Sequence, residues 1–182
     1  MNYKQMNFVL WLTGISGAGK TTISQLLINT LAQTGVECEH LDGDAFRKAV
    51  TPHLGYSREE RQQNVKSAGF LANALAKHGI PVVCSFVSPS RESREELRQM
   101  CDNFVEVFVD APLETVMRRD PKGLYKQNVN LAGVSGMYEP PTRPDIHVRT
   151  DQQTVAESVQ AIVDGLMARG LIMMPQNVPS TR

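Results

Sequence analysis

No apolar run in this 182-residue sequence is longer than a strand, so none is long enough to span a bilayer. The opening stretch, Met1 to Asn7, is polar and lacks the basic-then-apolar layout of a secretion signal. Cysteine is scarce. Cys38, Cys84 and Cys101 are an odd number without CxxC spacing, which argues against a disulfide framework and predicts reduced thiols in a cytoplasmic setting. The four scattered histidines (His40, His53, His78, His147) lack metal-ligand spacing and read as surface or hydrogen-bonded polar residues. Neither charge is in excess: Lys plus Arg number 19, Asp plus Glu number 19, and the formal net charge is zero. That balance argues against a nonspecific nucleic-acid binder and confines any phosphate-binding charge to a local site. An N-K-x-D segment for reading guanine is also missing.

What is present is ordinary globular composition, with 41% hydrophobic and 21% charged residues, in a length that suits one domain with a full core. Strand-like and helix-like segments alternate. Phe8 to Thr13, Val36 to Leu41, Ile80 to Val87, Phe104 to Val109 and Ile146 to Arg149 read as strands. Lys20 to Thr34, Asp44 to Val50, a long helix from Ser57 to His78, Glu92 to Met100, Pro112 to Arg119 and Thr154 to Met167 read as helices. Ser57 with Glu60 forms a capping box, and the long helix places Val65, Phe70, Leu71 and Leu75 on or near its apolar side. Five strands alternating with helices predict an α/β fold with a parallel sheet covered on both faces. Ligands on such sheets bind at the carboxyl ends of the strands. Asp120 to Pro144 breaks the pattern with scattered Gly and Pro, which predicts a lid over roughly 119–144.

Gly14-Ile15-Ser16-Gly17-Ala18-Gly19-Lys20-Thr21 fits G-x-x-x-x-G-K-[ST] in full, with a strand before it and a helix after. Glycines let the backbone wrap so that successive N–H groups face phosphate oxygens, and the helix start adds partial positive charge. Residues Gly14, Ser16, Gly17, Ala18, Gly19, Lys20, Thr21 and Thr22 are therefore the candidate ATP-binding set. Lys20 suits the β- and γ-phosphates, and Thr21 can place its hydroxyl on Mg²⁺. The glycine order does not fit G-x-G-x-x-G, which disfavours a dinucleotide oxidoreductase. The second strand ends in Leu41-Asp42-Gly43-Asp44, with Arg47 beyond. A carboxylate there can take a proton from an attacking hydroxyl or hold hydrated Mg²⁺; either Asp could instead cap a helix.

Leu41 to Arg47, Leu54-Gly55-Tyr56-Ser57, Arg61 with Asn64, Ser85 to Pro89, Phe104 to Asp110, and Arg119 to Lys126 stand in the order and spacing of adenylyl-sulfate kinases, and the chain resembles that family from about residue 8 to 165. The resemblance implies a P-loop kinase domain over 1–175, with a loose tail at 176–182. It implies transfer of the γ-phosphoryl group of ATP, with Mg²⁺, to the 3′-hydroxyl of adenylyl sulfate. Lys20, Asp44 and Ser88 are implied as catalytic, Ser88 matching a serine described in the family as a phosphoserine site. Arg119 is implied on the ATP side. Asp42, Asp44, Arg47, Tyr56, Arg61, Asn64, Val87, Ser88, Lys122 and Leu131 are implied on the acceptor side, with Tyr56 stacking on adenine. Asp44 is also implied as a water-mediated metal contact. The partner is a small nucleotide, and a homodimer is the commonest assembly.

Two stretches depart from the family. Its D-R-x-E-N-I-R-R segment reads Glu60 to Ser67 here, with Lys66 in place of an arginine. The stretch after Lys126 is shorter, and Leu131 takes the place of a base-facing phenylalanine. Two further expectations are a kinase of the same scaffold acting on a cytidine diphosphate derivative, and a non-catalytic ATP-binding regulator.

Overall fold

The computed structural model describes residues 7–120, 123, 125 and 138–173. Five strands form one sheet in the order β2-β3-β1-β4-β5, every neighbouring pair parallel. They are β1 (Val9–Thr13), β2 (Glu39–Asp42), β3 (Val82–Ser85), β4 (Phe104–Asp110) and β5 (Ile146–Arg149). The helices are α1 (Lys20–Gln33), α2 (Gly43–Ala49), α3 (Arg58–Lys77), α4 (Arg91–Met100), α5 (Leu113–Arg119) and α6 (Val155–Ala168).

β1 lies in the middle and is buried along its whole length, which explains why Val-Leu-Trp-Leu-Thr shows no polar alternation. Successive side chains still point to opposite faces. Leu10 and Leu12 join Val83, Val105 and Val107 in a core roofed by Ile23, Leu27 and Leu31 of α1 and Val159, Ile162 and Leu166 of α6. Val9 and Trp11 join Val82, Cys84 and Phe104 in a second core under Val65, Ala68 and Ala72 of α3 and Leu97 of α4. Each fully buried aliphatic or aromatic side chain contributes about 1.5–3 kcal/mol over its exposed form. Both cores hold the carboxyl end of β1 rigidly where the chain leaves the sheet.

The capping boxes of α3 (Ser57 with Glu60) and α6 (Thr154 with Glu157) are both formed. Three expectations need correction. Residues 36–38 precede β2, and β3 spans only Val82–Ser85, since Pro81 lacks an amide donor and Phe86 turns into the second core. The buried face of α3 is Val65, Ala68, Gly69, Ala72 and Ala76, whereas Phe70 is 71% exposed and Leu71 sits at the rim. Small residues win that face because α4 approaches closely: a Cβ on Gly69 would stand 2.0 Å from Leu97 Cδ2. No helix among the described residues is long and apolar enough to cross a membrane.

Candidate active site

The loop Gly14–Gly19 joins β1 to α1 at the carboxyl edge of the sheet. At Gly14 (φ +153°) the backbone passes so close to β4 that a Cβ would lie 2.2 Å from the Val109 carbonyl oxygen, so only glycine fits. Gly19 caps α1 in a left-handed conformation (φ +105°). The loop is braced from outside. The Tyr125 hydroxyl donates to the Ser16 carbonyl (2.6 Å), and the Thr150 hydroxyl donates to the Ala18 carbonyl (2.9 Å). In a planar trans peptide the C=O and N–H point in opposite directions. The amides of Gly17 and Gly19 are thereby aimed away from those braces. Lys20 is buried and donates from Nζ to the carbonyls of Gly14 (2.7 Å) and Ile15 (2.8 Å), which holds its ammonium over the loop.

β2 delivers the acidic pair. Asp42 is the N-cap of α2: Oδ1 accepts from the amides of Asp44 (3.1 Å) and Ala45 (3.2 Å). Its other oxygen, Oδ2, accepts from the Thr21 hydroxyl (3.2 Å) and the Ser85 hydroxyl (3.3 Å). Burial works against ionisation of Asp42, but these four donors outweigh it and hold the carboxyl below its ordinary range. Asp44, in the first turn of α2, stands at the cavity wall. The capping role allowed for either residue thus falls to Asp42.

One cavity of about 630 Å³ gathers these groups. Ser16 to Thr22 form its floor, Asp42, Asp44, Ser85 and Val87 one end, and Arg119, Tyr125, Gln153 and Thr154 the other. Arg119 donates to the Thr150 hydroxyl (3.0 Å) and carbonyl (2.6 Å). The implied Arg119, Val87, Asp42 and Asp44 therefore meet the phosphate loop in a single space. The Thr21 hydroxyl, its proton engaged by Asp42, and the Asp44 carboxylate offer oxygen ligands only, which fits Mg²⁺.

Other implied residues lie elsewhere. Ser88 is 2% exposed, sits in the left-handed region (φ +44°) and accepts the Trp11 indole N–H at 2.8 Å, so its hydroxyl faces the core. Arg47 and Arg61 both place guanidinium groups over the Tyr56 ring, at 4.7 and 5.2 Å from its centre. Arg47 also donates to the Leu54 and Gly55 carbonyls, and Arg61 to that of Tyr56. Asn64 is buried and accepts from Thr51 (2.6 Å). Arg61 lines a second cavity of about 230 Å³ with Arg58, Gln62, Pro89, Ser90 and Glu139. Lys122, Leu131, most of the expected lid and the 176–182 tail lie outside the described residues.

A network with a buried centre ties the loop at residues 86–90 to Tyr138 and Glu139. Arg94, 3% exposed, donates to Glu106 (2.7 Å) and to the carbonyls of Ser88 and Glu139. The Glu139 amide donates to the Pro89 carbonyl, and its carboxylate accepts from the Arg91 amide, each at 2.8 Å. Thr13 donates to the Val87 carbonyl (2.8 Å), which leaves its oxygen to accept from the Tyr138 hydroxyl (3.1 Å). Burial pushes the Tyr138 hydroxyl up to about 12, keeping it a donor.

A family model described as adenylylsulphate kinase matches residues 6–149. The chain belongs to the adenylylsulphate kinase family. It is 48% identical over 161 residues to a probable adenylyl-sulfate kinase of Pseudomonas aeruginosa, covering 86% of this chain and 75% of that one. It is 40% identical over 179 residues to the adenylyl-sulfate kinase of Halothermothrix orenii, covering 96% and 97%. Its fold matches the Mycobacterium tuberculosis APS kinase solved with AMPPNP and APS at a TM-score of 0.84 and 32% identity, covering 89% and 98%. As an adenylylsulphate kinase, the chain is a nucleotide kinase with a hydroxyl acceptor, using ATP with Mg²⁺. Sequence reading missed Thr150, Gln153 and Thr154 at the far end of the cavity. The only sequence signal near them is the Thr154–Glu157 capping box, which fixes where α6 begins.

Proposed function

We propose that this chain phosphorylates the 3′-hydroxyl of adenylyl sulfate with ATP, giving 3′-phosphoadenylyl sulfate and ADP, by direct in-line transfer across the larger cavity. The observation carrying this reading is that Lys20, Thr21 and Asp44 line one space whose two ends are built from different elements. Donor phosphates would lie along Ser16 to Thr22, with Arg119 and Gln153 toward the donor base. Thr21 through its hydroxyl and Asp44 through water would hold Mg²⁺, whose charge would offset that of the β- and γ-phosphates. Asp44 takes the proton from the acceptor hydroxyl as phosphoryl transfer proceeds. Lys20 keeps a positive charge beside the transferring group.

On the acceptor side, Val87 borders the reacting end. Arg47, Arg61 and Asn64 would hold the phosphosulfate and sugar, with Tyr56 against the adenine and Lys122 and Leu131 contributing from the neighbouring stretch. Two arginines already stacked on Tyr56 supply the cations for such an anion. Base stacking on an aromatic is worth roughly 1–3 kcal/mol. A cytoplasmic setting and a homodimer complete the proposal, the latter supported by exposed Phe70 and Leu71 on the outer side of α3.

A coupled assay of ADP release over a panel of nucleotide acceptors, with mass identification of the product, tests this. Adenylyl sulfate should turn over much faster than the rest. Equal or faster turnover of a cytidine diphosphate derivative would overturn the acceptor assignment.

A further inference from the structure

His40 occupies the middle of β2 and is half-buried, and no step described so far uses it. Its Nε2 stands 3.1 Å from the Ser24 hydroxyl oxygen and 3.1 Å from the Ser85 hydroxyl oxygen. The protons of this cluster can be counted. Ser24 donates its hydroxyl proton to the Thr21 carbonyl (3.0 Å). Ser85 donates its own to Asp42 Oδ2 (3.3 Å), because an ionised carboxylate only accepts. Neither serine has a proton left for the imidazole. The assignment that satisfies every group puts hydrogen on Nε2, which donates to both oxygens as a shared bond. Burial depresses the His40 ring below its ordinary value against the pull of Asp42 and Glu39, which favours the neutral form; the proton count then places its one hydrogen on Nε2.

His40 thus reaches Thr21 twice. Through Ser24 it fixes the donor to the Thr21 carbonyl. Through Ser85 it fixes the donor to Asp42 Oδ2, the oxygen that also accepts the Thr21 hydroxyl proton (3.2 Å). With that proton held by Asp42, the lone pairs of Thr21 Oγ are free for a cation. We propose that His40 is a positioning residue for the Mg²⁺-nucleotide, acting through Ser85 and Asp42 to set the direction of the Thr21 hydroxyl. The proposal rests on the reading that Thr21 takes the metal. Partners one bond removed from a metal ligand typically change affinity by about 10–100-fold, and His40 lies further out, so roughly three- to tenfold is expected.

Two measurements test it. In the ligand-free protein, the ¹⁵N resonances of His40 should report a protonated Nε2 and a bare Nδ1; a bare Nε2 would refute the proton count. Second, calorimetry should measure ADP affinity with Mg²⁺ and with EDTA for wild type, His40→Leu and His40→Gln. Gln can place an amide N–H near the position of Nε2. His40→Leu should lose about three- to tenfold of the gain that Mg²⁺ gives, with metal-free ADP affinity unchanged, and His40→Gln should recover most of it. An unchanged Mg²⁺ gain in His40→Leu, or an equal loss with and without metal, would overturn the role of His40. A wild type with no Mg²⁺ gain at all would instead refute the assignment of Thr21.

Discussion

Trp11 donates its indole N–H to the Oγ of Ser88 at 2.8 Å, and both residues are almost fully buried. The serine implied as a phosphorylation site is therefore fastened to the centre of the sheet. Ser88→Ala should keep turnover within a few-fold of wild type. It should also leave the indole N–H without its acceptor, at a cost of about 1–3 kcal/mol. Urea unfolding followed through the fluorescence of Trp11, the one tryptophan in the chain, measures the cost. A loss of turnover by orders of magnitude would instead favour an obligatory phosphoserine.

Asp44 and Asp42 should separate by assay. Asp44→Asn removes a proton acceptor from the cavity wall, so turnover should fall by about 10²–10⁴-fold while calorimetric ATP affinity holds. A fall of only a few-fold would reduce Asp44 to a helix-start carboxylate that favours the dipole of α2.

Asp42 should give stability a dependence on acid. Its folded carboxyl titrates below the ordinary value: burial alone would raise it, and the amides of Ala45 and Asp44 with the hydroxyls of Thr21 and Ser85 more than reverse that. A depressed folded pKa means the contribution is fully present above the unfolded value of about 3.9 and is lost as pH falls through the lower folded value. Wild type should exceed Asp42→Asn in unfolding free energy at pH 7, and the gap should narrow below about pH 4. A gap independent of pH would show that the carboxylate charge plays no part.

Gly69→Ala decides between two opposed effects. In an ordinary helix interior the change stabilises by roughly 0.5–1 kcal/mol. Here the new Cβ would meet Leu97 Cδ2 at 2.0 Å, and overpacking of this kind costs about 1–3 kcal/mol. Thermal unfolding should therefore shift to lower temperature. An upward shift would mean that α4 can retreat at little cost.

The phosphate loop and the five-strand alternation were legible because they are local. Glycine spacing, the Ser57–Glu60 box and the apolar run of β1 need only neighbouring residues. Phe70 misled because a helix meeting its neighbour at Gly69 buries small residues and turns large ones outward. Tyr125 and Thr150 were missed as braces since each reaches the loop from more than a hundred positions away. Nothing local marks Arg94 and Glu106 as partners. Only the folded chain pairs them in the interior, where loss of either partner strands a charge at about 3–5 kcal/mol.

The fastening of Glu139 to Pro89 and of Arg94 to Ser88 also bears on how this chain can vary. Together with the anchorage of Tyr125 on Ser16, it clamps two loops at the carboxyl edge of the sheet, each through a backbone carbonyl. A carbonyl is present whatever side chain the residue carries. The clamped loops can therefore exchange side chains at Ser16, Ser88 and Pro89 while keeping their path.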